Sequence, residues 1–146
     1  MSLTVATLRQ RVAARVVALG APWKESPYLY ELVGRDPASI AHGAFAVGVP
    51  RTTADGSRQR VNVGANVATP FVVRFTARVK PKDGVDSLDV ALDLEHSLIR
   101  QLCQHDATWP VDAHVLYVNT DRTLVDAGDW LRLDLIFNAL HTLALQ

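Results

Sequence analysis

The stretch Asp129-Trp130-Leu131-Arg132-Leu133-Asp134-Leu135-Ile136-Phe137-Asn138-Ala139-Leu140-His141 constrains the fold more than any other part of the chain. Leu131, Leu133, Leu135 and Phe137 fall on one side of an extended strand, and Arg132, Asp134 and Asn138 fall on the other. Alternation of that length belongs to a strand with a core on one face only. Leu140, Leu143 and Leu145 carry the apolar character onward, with no charge after Asp134. A lone edge strand of that composition is an aggregation hazard unless it is covered. Two covers are expected: a neighbouring subunit, or the last few residues folded back over the sheet.

The rest of the chain supplies the partners of that strand. From Thr4 to Leu19, residues Val5, Leu8, Val12, Val16 and Leu19 recur three or four apart and form one narrow helical stripe. Thr4 is the expected N-cap. Arg9 and Arg15 border the stripe as solvated flanks, and Gly20 and Pro22 end the helix. From Ala21 to Ala41, four punctuating residues (Pro22, Pro27, Gly34 and Pro37) interleave with Trp23, Tyr28 and Tyr30. Aromatic residues in so long a loop are either pinned to the core or shown to a partner, and Trp23, Tyr28 and Tyr30 are the candidate partner loop.

Three strand windows follow. Ala44–Val49 alternates through Phe45, Val47 and Val49, and Arg58–Ala65 alternates through Val61 and Val63. The Asp55-Gly56 turn signal between them predicts a hairpin with a long tip. Phe71, Val73, Phe75, Ala77 and Val79 then share a face opposite Arg74, Thr76, Arg78 and Lys80. A second helix is predicted over Ser87–Gln104, with Asp86, Asp89 and Asp93 at its dipole-positive start. Its apolar stripe (Leu88, Ala91, Leu92, Leu94, Leu98, Ile99, Leu102 and Cys103) covers nearly half the wheel, enough to touch two neighbours. Glu95 sits inside that stripe, and a carboxylate there needs a partner. Arg74 or Arg132 on the sheet, or a neighbouring subunit, are the candidates. A strand over Ala113–Asn119 precedes a connection bracketed by Thr120-Asp121-Arg122 and Asp126-Ala127-Gly128-Asp129. The order α-β-β-β-α-β-β over residues 1–146 predicts a single α+β domain with helices on a largely antiparallel sheet.

Composition excludes several classes. A chain of 146 residues with 49% hydrophobic and 21% charged residues can bury a proper core. Fifteen basic residues balance fifteen acidic ones, so the charge of a dedicated nucleic-acid binder is missing. One cysteine, Cys103, makes no internal disulfide and fits a reducing compartment. No apolar run approaches the roughly 20 residues of a membrane span. Arg9, Arg11 and Arg15 interrupt any signal-peptide layout.

Catalytic templates find no match either. The glycines around Val47-Gly48-Val49 and Val63-Gly64-Ala65 form no phosphate loop or dinucleotide fingerprint. His42, His96, His105, His114 and His141 lack metalloprotease spacing, and Ser26, Ser39, Ser57 and Ser97 lack a nucleophile elbow. His96 and Cys103 share a helical side, but Cys103 reads as a small core residue. No catalytic, metal or cofactor site is expected, and the chain reads as a non-enzyme.

The layout resembles the tail terminator proteins, or minor tail components, of long-tailed bacteriophages and prophages. The resemblance rests on the N-terminal amphipathic helix, the proline-containing loop, the long-tipped hairpin, the strand Phe71–Lys80 and the helix Ser87–Gln104. It is completed by a closing strand entered through Gly128-Asp129-Trp130. It implies a hexameric ring on the end of the tail tube, formed in the host cytoplasm and retained in the virion tail. Such a ring would stop tube polymerisation, face a head–tail connector or neck protein, and let DNA pass through its lumen unread. On that reading Arg51, Arg58 and Arg60 at the hairpin tip are candidate docking or lumen contacts. Glu95, Leu94, Leu98, Leu140 and Leu143 are candidate subunit-interface residues. The alternatives are another head–tail or neck completion factor, separated by its partner, and an unrelated small α+β ligand-binding or enzyme domain. The last would show a closed apolar pocket with polar groups near Glu95 or His96.

Overall fold

A computed structural model describes residues 3–26, 42–54, 65–79, 87–107, 109, 112–125 and 129–143. Helix α1 (Val5–Val17) opens on the expected cap, the Thr4 hydroxyl accepting from the Thr7 N–H at 3.1 Å. Its stripe buries Leu8, Val12, Ala13 and Val16. There follow β1 (Lys24–Glu25), β2 (Ala44–Gly48), β3 (Thr53–Ala54), β4 (Ala65–Arg78), α2 (Ser87–Cys103), β5 (Ala113–Val125) and β6 (Trp130–Leu143). The six strands form one sheet in the order β1-β2-β4-β6-β5, with β3 paired to β4, and every pairing except β1 with β2 is antiparallel. The chain is therefore an α+β domain with the expected order; two-residue β1 is an addition, and two-residue β3 lies in the stretch expected as the hairpin tip.

The alternation of the last strand sets the layers. Along the β4–β6 ladder Phe71 faces Phe137, Val73 faces Leu135 and Phe75 faces Leu133, and all six are fully buried. The Phe71 and Phe137 rings stack at 5.2 Å, and the stripes of α1 and α2 complete this core. The two helices are also tied to each other. Arg15 donates from Nε to the Gln101 carbonyl, and the Gln101 amide donates to the Arg15 carbonyl. The opposite sheet face carries Arg74, Arg132, Asp134 and Asn138, all half-buried. Gly43, at φ +81°, lets the chain pass beside Pro22, where any Cβ would overlap the Pro22 backbone carbonyl.

Several boundaries differ from the sequence expectation. The C-terminal strand is not an edge: β6 lies between β4 and β5, which pair both its edges, while α1 and α2 cover its apolar face. The hairpin partner of β2 is β4, with Phe45 opposite Phe75. Of the window Arg58–Ala65, only Ala65 belongs to the described residues, and it starts β4. Strand β4 begins at Ala65, ahead of Pro70, whereas the expected alternation starts only at Phe71. Pro70 falls where one side of the ladder is open, because β3 ends its register at Ala68 and β2 begins at Val72, and a missing N–H is tolerated there.

The expected turn at Thr120-Asp121-Arg122 is instead the middle of β5. A bulge between Tyr117 and Asn119 inserts Val118 and shifts the alternation, so the period-two signal stops while the strand continues.

Candidate interaction surface

Side chains beyond the bulge point the opposite way from what uninterrupted alternation would give. Arg122 pairs with Leu133 in the ladder and therefore lies on the helix side of the sheet. There it meets Glu95 of α2 in a bidentate contact, Nε to Oε1 at 3.1 Å and Nη2 to Oε2 at 2.7 Å. Glu95 is 7% exposed, whereas the Arg122 side chain is 46% exposed. The hydrogen bonds to Glu95 push the Arg122 guanidinium pKa upward. This corrects the expected partners. Arg74 and Arg132 lie on the face away from α2, where Arg74 forms its own pair with Asp134 at 2.5 and 3.0 Å. Arg132 stands 4.0 Å from the same carboxylate.

Both elements that carry the pair also expose apolar side chains. Leu88 and Val90 near the start of α2 are exposed, as are Leu116, Tyr117, Val118 and Leu124 on β5. Val118, the bulged residue, reaches 57% and Leu124 63%. Val17 at the end of α1 is a further exposed apolar residue. Strand β5 is also the outermost strand on its side of the sheet. The sequence showed a wide α2 stripe but gave no sign of this strip on β5, because the bulge hid the strand's second half.

The other expected residues fall in different places. Leu98 is fully buried in the core and Leu94 packs half-buried against it, so Leu98 is corrected from interface to core. Leu140 and Leu143 are half-buried in β6. Trp23 is 7% exposed, its ring edge-on to Phe75 at 4.8 Å and to Phe45 at 6.1 Å. It is pinned to the core rather than shown to a partner. Tyr28, Tyr30, Arg58 and Arg60 lie outside the described residues, and Arg51 is exposed. The arginines of α1 are engaged as flanks: Arg9 with Glu25 at 3.1 Å, and Arg15 with Asp106 at 2.6 Å while lying over the Trp109 ring.

His96 is exposed and Glu95 is already bound, so the two do not converge on a pocket. Burial pushes the Cys103 thiol up more than its backbone hydrogen bond with Tyr117 lowers it. The His105 and His114 rings lie 5.1 Å apart, but among the described residues no three His, Cys, Asp or Glu side chains gather as a metal site would need. His141, buried in β6, hydrogen-bonds through Nε2 to the Thr69 hydroxyl at 2.8 Å, and Thr69 contacts Thr52 at 3.2 Å. Burial holds the His141 pKa below its ordinary value. Among the described residues no helix is long and apolar enough to cross a membrane.

No protein-family model and no curated protein matches the sequence. Among solved structures, one similar chain comes from a structure described as "Virion of native gene transfer agent (GTA) particle". It is 16% identical with a TM-score of 0.42, over 89% of this chain and 93% of that one.

Proposed function

We propose that this chain is a structural protein of a phage-type particle that caps the end of a tail tube. In this role it stops tube polymerisation and presents a surface for joining the head through a connector or neck protein. Copies act as a ring, six by the resemblance to tail terminators, with DNA passing through the lumen unread. The ring forms in the host cytoplasm and stays in the virion tail.

The observation that carries this reading is where the apolar surface lies. It is spread over the outside of three elements: Val17 on α1, Leu88 and Val90 on α2, and the strip on β5. A small-molecule site gathers its apolar lining into one concavity. A ring protomer instead has to bury two different lateral surfaces, and a cap must also bury an axial one. The balanced charge of the chain, fifteen basic against fifteen acidic residues, suits a bore past which DNA slides without being held.

The test is polymerisation of the tube protein from the same particle with and without this chain. Shortened tubes at substoichiometric ratios, and co-sedimentation with them, are expected. Tubes of unchanged length with no bound chain refute the cap, and binding to the connector alone moves the assignment to a neck factor.

A further inference from the structure

Strand β5 is hydrogen-bonded to β6 along one edge, and among the described residues no strand lies along the other. It is 13 residues long, whereas the strand closing the opposite side of the sheet, β1, has two. Short strands, prolines, lysines and bulges are the usual means of blunting such an edge. Strand β5 contains no proline and no lysine. Its single bulge, at Val118, leaves Asn119–Val125 as an uninterrupted run whose outward backbone groups meet no strand among the described residues, beside exposed Leu124.

We infer that in the free protein this run pairs antiparallel with the same run of a second copy, joining two sheets edge to edge about a two-fold axis. The chemistry of the edge selects the occupant. A row of outward N–H and C=O groups is satisfied by an extended backbone and by little else. Length then selects which backbone. The β1 edge offers two residues, while a second β5 offers the whole run.

Full overlap of Asn119–Val125 centres the axis on Arg122. Asp121 then faces Thr123 of the second copy, and Leu124 faces Thr120. The two Arg122 guanidinium groups are brought opposite each other, an arrangement that repels when bare. Here each is held bidentately by its own Glu95, so two neutralised pairs meet rather than two bare cations. Two-fold pairing uses one surface twice, unlike a ring, which needs two different surfaces. The inference therefore stands or falls independently of the cap.

Sedimentation velocity from low to high micromolar concentration tests it, together with hydrogen exchange of the β5 amides. The mass is expected to rise from 16.0 kDa to twice that value, with slower exchange confined to Asn119–Val125 in the heavier form. In Asp121→Lys/Thr123→Lys, both substituted side chains are exposed, and each added lysine faces an added lysine of the second copy. This variant should keep the wild-type melting temperature and dimerise at least about tenfold more weakly, the equivalent of 1.4 kcal/mol. If the double variant melts early, Thr123→Asp, which faces Asp121 of the second copy, is read in its place, and its normal dimerisation counts in the same way. A wild-type mass that stays at one copy, or that settles at six, overturns the inference. So does a lysine variant that dimerises normally, or dimerisation without protection of β5.

Discussion

Removing either partner of the Glu95–Arg122 pair should have unequal consequences, because the two are unequally buried. Glu95 is 7% exposed, and the side chain of Arg122 is 46% exposed. In Glu95→Leu the guanidinium left behind rehydrates where it stands. The loss is one partly exposed ion pair, about 1 kcal/mol. The gain is leucine burial among Ala91, Leu98 and Leu102, about 1.5–3 kcal/mol if fully realised. The net effect is between neutral and slightly stabilising. In Arg122→Ala the carboxylate stays inside the apolar stripe without a partner. Breaking a buried pair costs about 3–5 kcal/mol, and the low end applies because this pair opens to water on the arginine side. Each kcal/mol moves the melting temperature by about 2–4 °C in a chain of this size. Thermal denaturation at pH 7 should therefore show Arg122→Ala melting roughly 6–12 °C below wild type and Glu95→Leu within about 3 °C of it. Equal losses in the two variants, or a Glu95→Leu deficit above about 2 kcal/mol, would show that Glu95 holds something beyond Arg122.

Three further outcomes are expected. Gly43→Ala combines a φ of +81° with overlap onto the Pro22 carbonyl, and should lower stability by on the order of 3 kcal/mol in urea titration; a loss under about 1 kcal/mol would mean that the β1–β2 entry is free to shift. His141 has its pKa lowered in the folded chain from 6.5 by burial, so the unfolded chain takes up a proton first as pH falls and stability declines below about 6.5. His141→Gln should remove part of that decline, with His42, lowered by burial in the same direction, keeping the rest; an unchanged pH profile would place the titration elsewhere. Changing Arg51, Arg58 and Arg60 together to serine should leave the melting temperature within about 2 °C while weakening attachment to tube or connector, and normal attachment would remove the tip as the docking element.

The legible and illegible parts of this chain divide on physical grounds. Leu131, Leu133, Leu135 and Phe137 and their partners Phe71, Val73 and Phe75 were readable because one core on one face imposes period two without interruption. Thr4 and the α1 stripe were readable for the same kind of local reason. Strand β5 was half-readable, since Val118 flips the alternation at the bulge and makes the following residues look like a turn. That flip also hid the partner of Glu95: the sequence showed a carboxylate in need of a cation, but only strand pairing puts Arg122 on the helix side while leaving Arg74 to Asp134. Strands β1 and β3, at two residues each, are held by β2 and β4 and carry no periodic signal of their own. Pro70 is tolerated inside β4 because of the gap between β2 and β3, a property of the assembled sheet. Trp23 was balanced between core and partner, and its contacts with Phe45 and Phe75 decide for the core.

The proposed cap is tested most directly by electron microscopy of tube ends after tubes have been assembled with this chain. A closed ring of six copies on the end of each shortened tube, with an open central channel, is the predicted image. Bare ends beside unbound chain, or chain bound along the tube wall in place of the end, would contradict the account.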